Sequence, residues 1–162
     1  MGDRSVRAAP DPLSGNRRPD YADAFEIGTS EPDARTAEQW ARCALEEAPV
    51  AVRWTIQIAH RYLLRFRLGP HPSREHVLGW RIVATEPDLI RVEASSPLLD
   101  AVIVGRRVDP TCTRLTTSLF YVRPAAARAV WTLVGPLHRR IAPYLLSRAA
   151  PSGRRGSAEA VR

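Results

Sequence analysis

Residues 123–150 read RPAAARAVWTLVGPLHRRIAPYLLSRAA, and within them Val130, Val134, Leu137, Ile141 and Leu145 recur at helical spacing. That spacing predicts a long C-terminal helix carrying one apolar stripe. Arg128, Thr132, Arg139, Arg140 and Ser147 fall on the opposite, wet side. Pro124 suits the first turn, where its missing N–H would have had no partner. Pro136 and Pro143 lie further in, where proline removes a backbone hydrogen bond, so the helix is expected to bend. A bent amphipathic helix needs a curved surface against which to bury its stripe.

The rest of the chain supplies that surface. Tyr21, Asp23, Phe25 and Ile27 alternate with smaller or polar residues up to Gly28, which predicts a first strand with one bulky face. Thr36 with Gln39 three residues on has the form of a capping box and opens a short helix reaching about Glu47, with Trp40, Ala44 and Leu45 on its buried side. After Pro49 a second helix is expected over residues 50–67. Arg53, Gln57, His60, Arg61 and Arg65 form its polar stripe, among Trp54, Ile56, Ile58, Leu63 and Leu64. A basic amphipathic helix of this kind can also lie on a membrane surface, but the reading adopted is an ordinary helix packed on its own domain.

Gly69, Pro70 and Pro72 end this pair of helices, and four strand-like runs follow. Residues 77–84 alternate Leu78, Trp80 and Ile82 against Gly79 and Arg81, and residues 89–95 alternate Ile90, Val92 and Ala94 against Arg91 and Glu93. Residues 98–108 and 113–122 are the next two. Val102, Ile103 and Val104 are consecutive apolar residues, and Phe120 adjoins Tyr121, so the outer face of these runs calls for a cover. A second subunit in a homodimer would serve. The expected fold class is therefore α+β: a curved antiparallel sheet gripping the long C-terminal helix, with a two-helix insertion after the first strand. A single domain spans residues 20–149, between a disordered arm at 1–19 and a disordered tail at 150–162.

The formal charge is +7, and all 24 basic residues are arginine. Several of them, Arg4, Arg7, Arg17, Arg18, Arg154, Arg155 and Arg162, fall in the arm and the tail rather than on one folded face, which argues against specific nucleic-acid binding. Cys43 and Cys112 read as small buried hydrophobes in a helix and a strand. The N-terminus has no apolar run of a secretory signal and no stretch is long and apolar enough to be a transmembrane segment, so the expected compartment is cytoplasmic. No phosphate-binding, zinc-protease or nucleophile-elbow motif is present, and the four histidines are scattered, so no cofactor and no metal site are expected.

This layout resembles the helix-grip superfamily, which includes START lipid-transfer domains, pollen-allergen-like proteins and polyketide cyclases. The runs HVLGWRIV at 76–83 and AARAVWTLVGPLHRRIAPYLL at 126–146 are similar, more narrowly, to a family of small bacterial domains within that superfamily, a likeness that implies no particular activity. Typical members carry seven strands, whereas five are read here. The resemblance implies an internal cavity between sheet and helix that holds an apolar ligand.

Trp80, Ile82, Val92 and Tyr121 from the sheet, with Trp131, Val134 and His138 from the helix, are the expected ligand-binding residues. His138 sits at the edge of the apolar stripe, and Asp23 shares a face with Tyr21 and Phe25, which places an acid in an apolar setting if that face points inward. Large aromatics at these positions also serve as plain core, and a rim histidine can simply bond to backbone or water. Three functions stay open: a carrier or sensor of a small apolar or lipid-like molecule; a cyclase- or dehydratase-type enzyme using His138, Tyr121 or Asp23 as acid or base; and a regulatory or partner-binding domain with a vestigial cavity and the two-sided apolar strands as its interface. With no recognisable catalytic pair in the sequence, no catalytic residue is assigned and the binding function is preferred.

Overall fold

The computed structural model describes residues 17–151 and the backbone of Arg4–Val6. Alternating strands and two amphipathic helical segments resolve into strands β1 (Arg4–Val6) and β2 (Tyr21–Gly28), helices α1 (Ala37–Glu46) and α2 (Val50–Ile58), and strands β3 (His76–Val77), β4 (Trp80–Glu86), β5 (Leu89–Ser95), β6 (Leu99–Asp109) and β7 (Cys112–Tyr121). Helix α3 (Pro124–Ala149) completes the chain. The strands form one antiparallel sheet in the order β1-β2-β7-β6-β5-β4-β3. Bulges between Ile82 and Ala84 and between Arg107 and Asp109 interrupt the register, and such insertions bend a sheet and increase its twist. The fold is α+β, with two helices between β2 and β3 and the long C-terminal helix packed against the curved, open sheet.

Two strands go beyond the five expected. β1 lies within the arm predicted to be disordered and pairs with β2, Ser5 opposite Phe25, so it supplies partners to backbone groups that β2 would otherwise present as an open edge. The rest of that arm, residues 1–3 and 7–16, and the predicted tail from residue 152 onward lie outside the described residues. The other addition comes from the run at 77–84, which is not one strand. Leu78 (φ 49°) and Gly79 (φ 89°) make a two-residue turn that folds β3 onto β4, because a hairpin turn with two positive φ values matches the twist of the strands it joins. Leu78 is turned into a small cluster with Ala48, Ile56 and Leu145, and its N–H donates to Glu46.

Thr36 and Gln39 form the capping box that starts α1. Trp40 packs over Gly105 of β6, where a side chain would crowd Ile90 and approach the indole. Helix α3 runs without a break through Pro136 and Pro143. Its buried side consists of Ala127, Trp131, Val134, Ala142, Leu145, Leu146 and Ala149, whereas Val130, Leu137 and Ile141 are half-buried. Val134 and Leu145 of the predicted stripe are thus at its buried centre, and Val130, Leu137 and Ile141 lie along its edge, packed against the core or the cavity. Arg35, paired with Asp33, donates to the last carbonyl of α3 at Ala149, and so satisfies a helix end from a segment 114 residues away in sequence.

On the outer face of the sheet Leu89, Val102, Val104 and Phe120 form a separate buried cluster within the chain, and Arg17 lies over the Phe120 ring. Cys43 in α1 and Cys112 in β7 are both free thiols. Among the described residues, no helix is long and apolar enough to cross a membrane.

Candidate functional site

Strand pairing sets out a row of inward-facing residues across the sheet. Asp23 stands opposite Thr117, Thr117 opposite Ile103, Ile103 opposite Val92, and Val92 opposite Ile82. Helix α3 crosses the Asp23 end of this row, and α2 closes the space beside it. Between them lies a cavity of about 90 Å³. Its floor is Ile103, Leu115 and Thr117; its roof comes from Trp131, Val134, His138 and Ile141; and its side wall is Ile56, Ala59, His60 and Leu64.

The polar groups gather at the β2 end. His138 Nε2 lies 3.1 Å from Asp23 Oδ2 and 3.3 Å from Oδ1. The Tyr21 hydroxyl donates to Asp23 at 2.6 Å. Burial first, and then its bond to the Asp23 carboxylate, pushes the Tyr21 pKa up to about 12, against an opposing pull from Arg139. Trp131 packs edge-on to Tyr21 at 4.9 Å and lies 5.4 Å from the His138 ring. Gly135, one turn along α3, leaves room beside the indole nitrogen of Trp131 and the guanidinium of Arg139.

His60 is the second imidazole of the wall. It belongs to a π-helical turn, Ala59–Leu63, that continues α2, in which the N–H of Leu64 reaches the carbonyl of Ala59 five residues back. The sequence reading placed His60 on a polar stripe with Arg53 and Arg61. The extra residue in the wider turn instead rotates it inward, where Trp80 donates from Nε1 to His60 Nδ1 at 3.2 Å and Phe66 packs edge-on to its ring at 5.7 Å. Accepting at Nδ1 leaves the neutral ring its proton at Nε2. Loss of bulk solvation, reinforced by the neighbouring His138, pushes the His60 pKa down to about 3, so this imidazole is neutral throughout the physiological range.

Two residues of the cavity wall carry buried polar atoms, Thr117 Oγ1 and Trp131 Nε1, that have no hydrogen-bond partner among the described residues. Both side chains are well buried, Thr117 at 3 % and Trp131 at 8 % exposure. An unpaired buried hydroxyl or indole N–H costs about 1–3 kcal/mol, a cost that a polar ligand atom can offset.

Of the residues expected to bind a ligand, Trp131, Val134 and His138 meet in this wall. Val92 lines a separate apolar pocket of about 40 Å³ beneath Trp40 and Leu146. Trp80 stands behind His60 rather than at the cavity surface, Ile82 packs at the far end of the row, and Tyr121 is half-buried at the end of β7, where burial and then the Asp20 charge raise its pKa. His60 and Thr117 are site residues that the sequence did not single out. The available signal for Thr117 was its place two residues from both Leu115 and Leu119 on an inward face.

The chain matches no protein-family model, no curated protein and no solved structure.

Proposed function

We propose that the protein binds a small, largely apolar ligand with a polar acceptor group in the cavity between sheet and α3, and that it does so in the cytoplasm. The observation that carries this reading is the pair of unpartnered polar atoms, Thr117 Oγ1 and Trp131 Nε1, on residues of a wall that is apolar apart from Thr117, His60 and His138. Such a wall supplies contact area, and a few placed polar groups fix orientation. Neutral His60 adds a donor at Nε2. On this reading the chain is a helix-grip protein, and its ligand occupies the space that the superfamily uses.

Size constrains the ligand. A cavity of about 150 Å³ admits benzene, so about 90 Å³ suits a molecule of only a few heavy atoms. A lipid-like chain requires a wall to move, and α2 is the wall with least anchorage, because Ile56 is its one fully buried residue.

Thr117→Val tests the assignment, since it keeps the shape of the side chain and removes the hydroxyl. The unliganded variant should be as stable as the parent or more so, by up to about 1 kcal/mol, because an unpaired buried hydroxyl disappears. Its affinity for short methyl ketones, followed by tryptophan emission, should fall by about tenfold, the equivalent of one lost hydrogen bond. If no ketone from butanone to octanone perturbs the emission of the parent, and protein isolated from its own host flies as a bare chain in native mass spectrometry, the binding function is lost.

The Asp23–His138 contact favours one second reading, an enzyme of cyclase or dehydratase type. With Nε2–H donated to Asp23, the other nitrogen of His138 is the basic one, and an oriented imidazole in a cavity wall is suited to general base work. His138→Gln keeps hydrogen bonding and removes the titrating group. In an enzyme, turnover should fall by about 10²–10⁴ with binding retained; in a binding protein only affinity changes, and modestly.

A further inference from the structure

The outer face of α2 is apolar where a packed helix is ordinarily wet. Val50, Trp54, Ile58 and Tyr62 follow one another at intervals of four and are 60, 65, 48 and 75 % exposed. The same helix and its π-helical extension turn Ile56, Ala59 and Leu64 inward. The element therefore has two apolar faces, and only one is used by the domain. Beside the outer one runs a groove of about 550 Å³, walled by Arg53, Trp54, Ile58, Arg61 and Tyr62 on one side and by Pro70 and His71 on the other.

Along the sequence the charge of this segment has one sign. From Ala48 to Arg74 the chain holds five arginines and no aspartate or glutamate. The acids that bracket the stretch are Glu46, Glu47 and Glu75. Glu46, which lies 3.4 Å from His71 of the groove wall, is already engaged by Arg42 and by the N–H of Leu78. Arg61 donates to Gln57 at 3.4 Å and Arg53 to the backbone carbonyl of Glu46, and among the described residues neither is paired with an acid.

We infer that this face docks on an anionic phospholipid surface. Trp and Tyr are the side chains that settle at the boundary of headgroups and acyl chains, and arginine complements anionic headgroups. A row of Trp54, Ile58 and Tyr62 flanked by Arg53 and Arg61 puts both on one exposed edge. Charge complementarity selects the anionic surface over a neutral one. The inference stands apart from ligand binding in the cavity, because it rests on the opposite side of the helix.

Flotation of the full chain with vesicles tests it. The protein should float with phosphatidylcholine vesicles containing phosphatidylglycerol and stay behind with phosphatidylcholine alone, its tryptophan emission should shift to the blue on binding, and high salt should release it. Arg61→Gln should weaken binding by roughly fivefold, the effect of one cation near a charged surface. Trp54→Ser with Tyr62→Ser should weaken it by about tenfold or more, through lost apolar burial. These side chains are exposed, so an unchanged melting temperature shows that both variants keep the fold. The proposal is overturned if the parent ignores anionic vesicles at low salt, or if the double serine variant floats as well as the parent, which would leave attraction by arginines elsewhere in the chain as the cause. Displacement by soluble polyglutamate at equal charge would assign the face to an acidic polypeptide and also overturn it. A dimer in sedimentation that the double variant abolishes, without vesicle binding by the parent, would assign it to a second copy of the chain, with the same consequence.

Discussion

Leu146→Asp is expected to leave the chain without a cooperative unfolding transition at room temperature. Leu146 is 1 % exposed, sits on the buried side of α3 between Ala142 and Ala149, and closes the small pocket under Trp40. Removing its side chain to alanine should cost about 2–5 kcal/mol through lost transfer energy and the cavity left behind, which lowers the melting temperature by about 10 °C or more. Aspartate adds a carboxylate that must either be buried unpaired or take up a proton. A domain of this size is stable by only about 5–15 kcal/mol, so the sum consumes most or all of the margin. Leu133→Asp is the matched control, since Leu133 is on the same helix and 73 % exposed; it should shift stability by less than about 0.5 kcal/mol. Thermal melts of the two variants decide the orientation of α3. Equal melting temperatures would mean that the helix does not present Leu146 to the sheet.

The second large effect is a loss of stability in mild acid that traces to one imidazole. In the unfolded chain His60 takes up a proton as pH falls through about 6.5, whereas in the folded chain it stays neutral until about 3. Between those values the unfolded state binds the extra proton, so folding free energy must fall as pH falls, by up to about 1.4 kcal/mol per pH unit. Above about 6.5 both states are neutral at this site and the contribution does not vary. Asp33, whose carboxyl is held low chiefly by its bond to Arg35, adds its own loss only as pH falls below the ordinary carboxylate range near 3.9. The window from about 6.5 to 4.5 therefore isolates the histidine contribution. His60→Gln, which can still accept from the Trp80 indole, should flatten denaturant-measured stability across that window. His138→Gln, made in parallel, should leave most of the slope, because burial is the larger cause of the His60 shift and the His138 charge the smaller. A parent protein equally stable at both ends of the window would contradict the buried neutral imidazole.

The alternation in β2 and β5 and the capping box of α1 were legible because each depends on nearest neighbours along the chain. The face of α3 was legible through Val134 and Leu145 but not its full width. Its buried side is built largely from Ala127, Ala142 and Ala149, and alanine carries little signal in a helix that also exposes Ala125, Ala126 and Ala129; Val130 and Ile141 outweigh it in any hydrophobic period. The β3–β4 turn was hidden for a different reason. Two-residue turns with positive φ ordinarily advertise themselves with Asn-Gly or Asp-Gly, and here the first position is Leu78, held in place by its own burial. The Asp23–His138 contact joins residues 115 apart in sequence. The inward face of β2 could be read from its alternation, but which turn of α3 lies above it is decided by packing. Trp80 was open to two readings, cavity lining or plain core, and its bond to His60, 20 residues away, depends on packing that no local pattern announces.

The π-helical turn at Ala59–Leu63 has a consequence for how such a chain can change over time. In a regular helix each residue advances by about 100°, so the inward set Ile56, Ala59, Leu64 and the outward set Val50, Trp54, Ile58, Tyr62 would have to drift together under any shift of phase. One supernumerary residue absorbs that drift locally. With one extra residue in the turn, His60 can face the interior while Tyr62 keeps its place outside, so that a substitution on one side of the helix need not disturb the other. Two surfaces with different chemistry can in this way arise from one short helix without lengthening the fold.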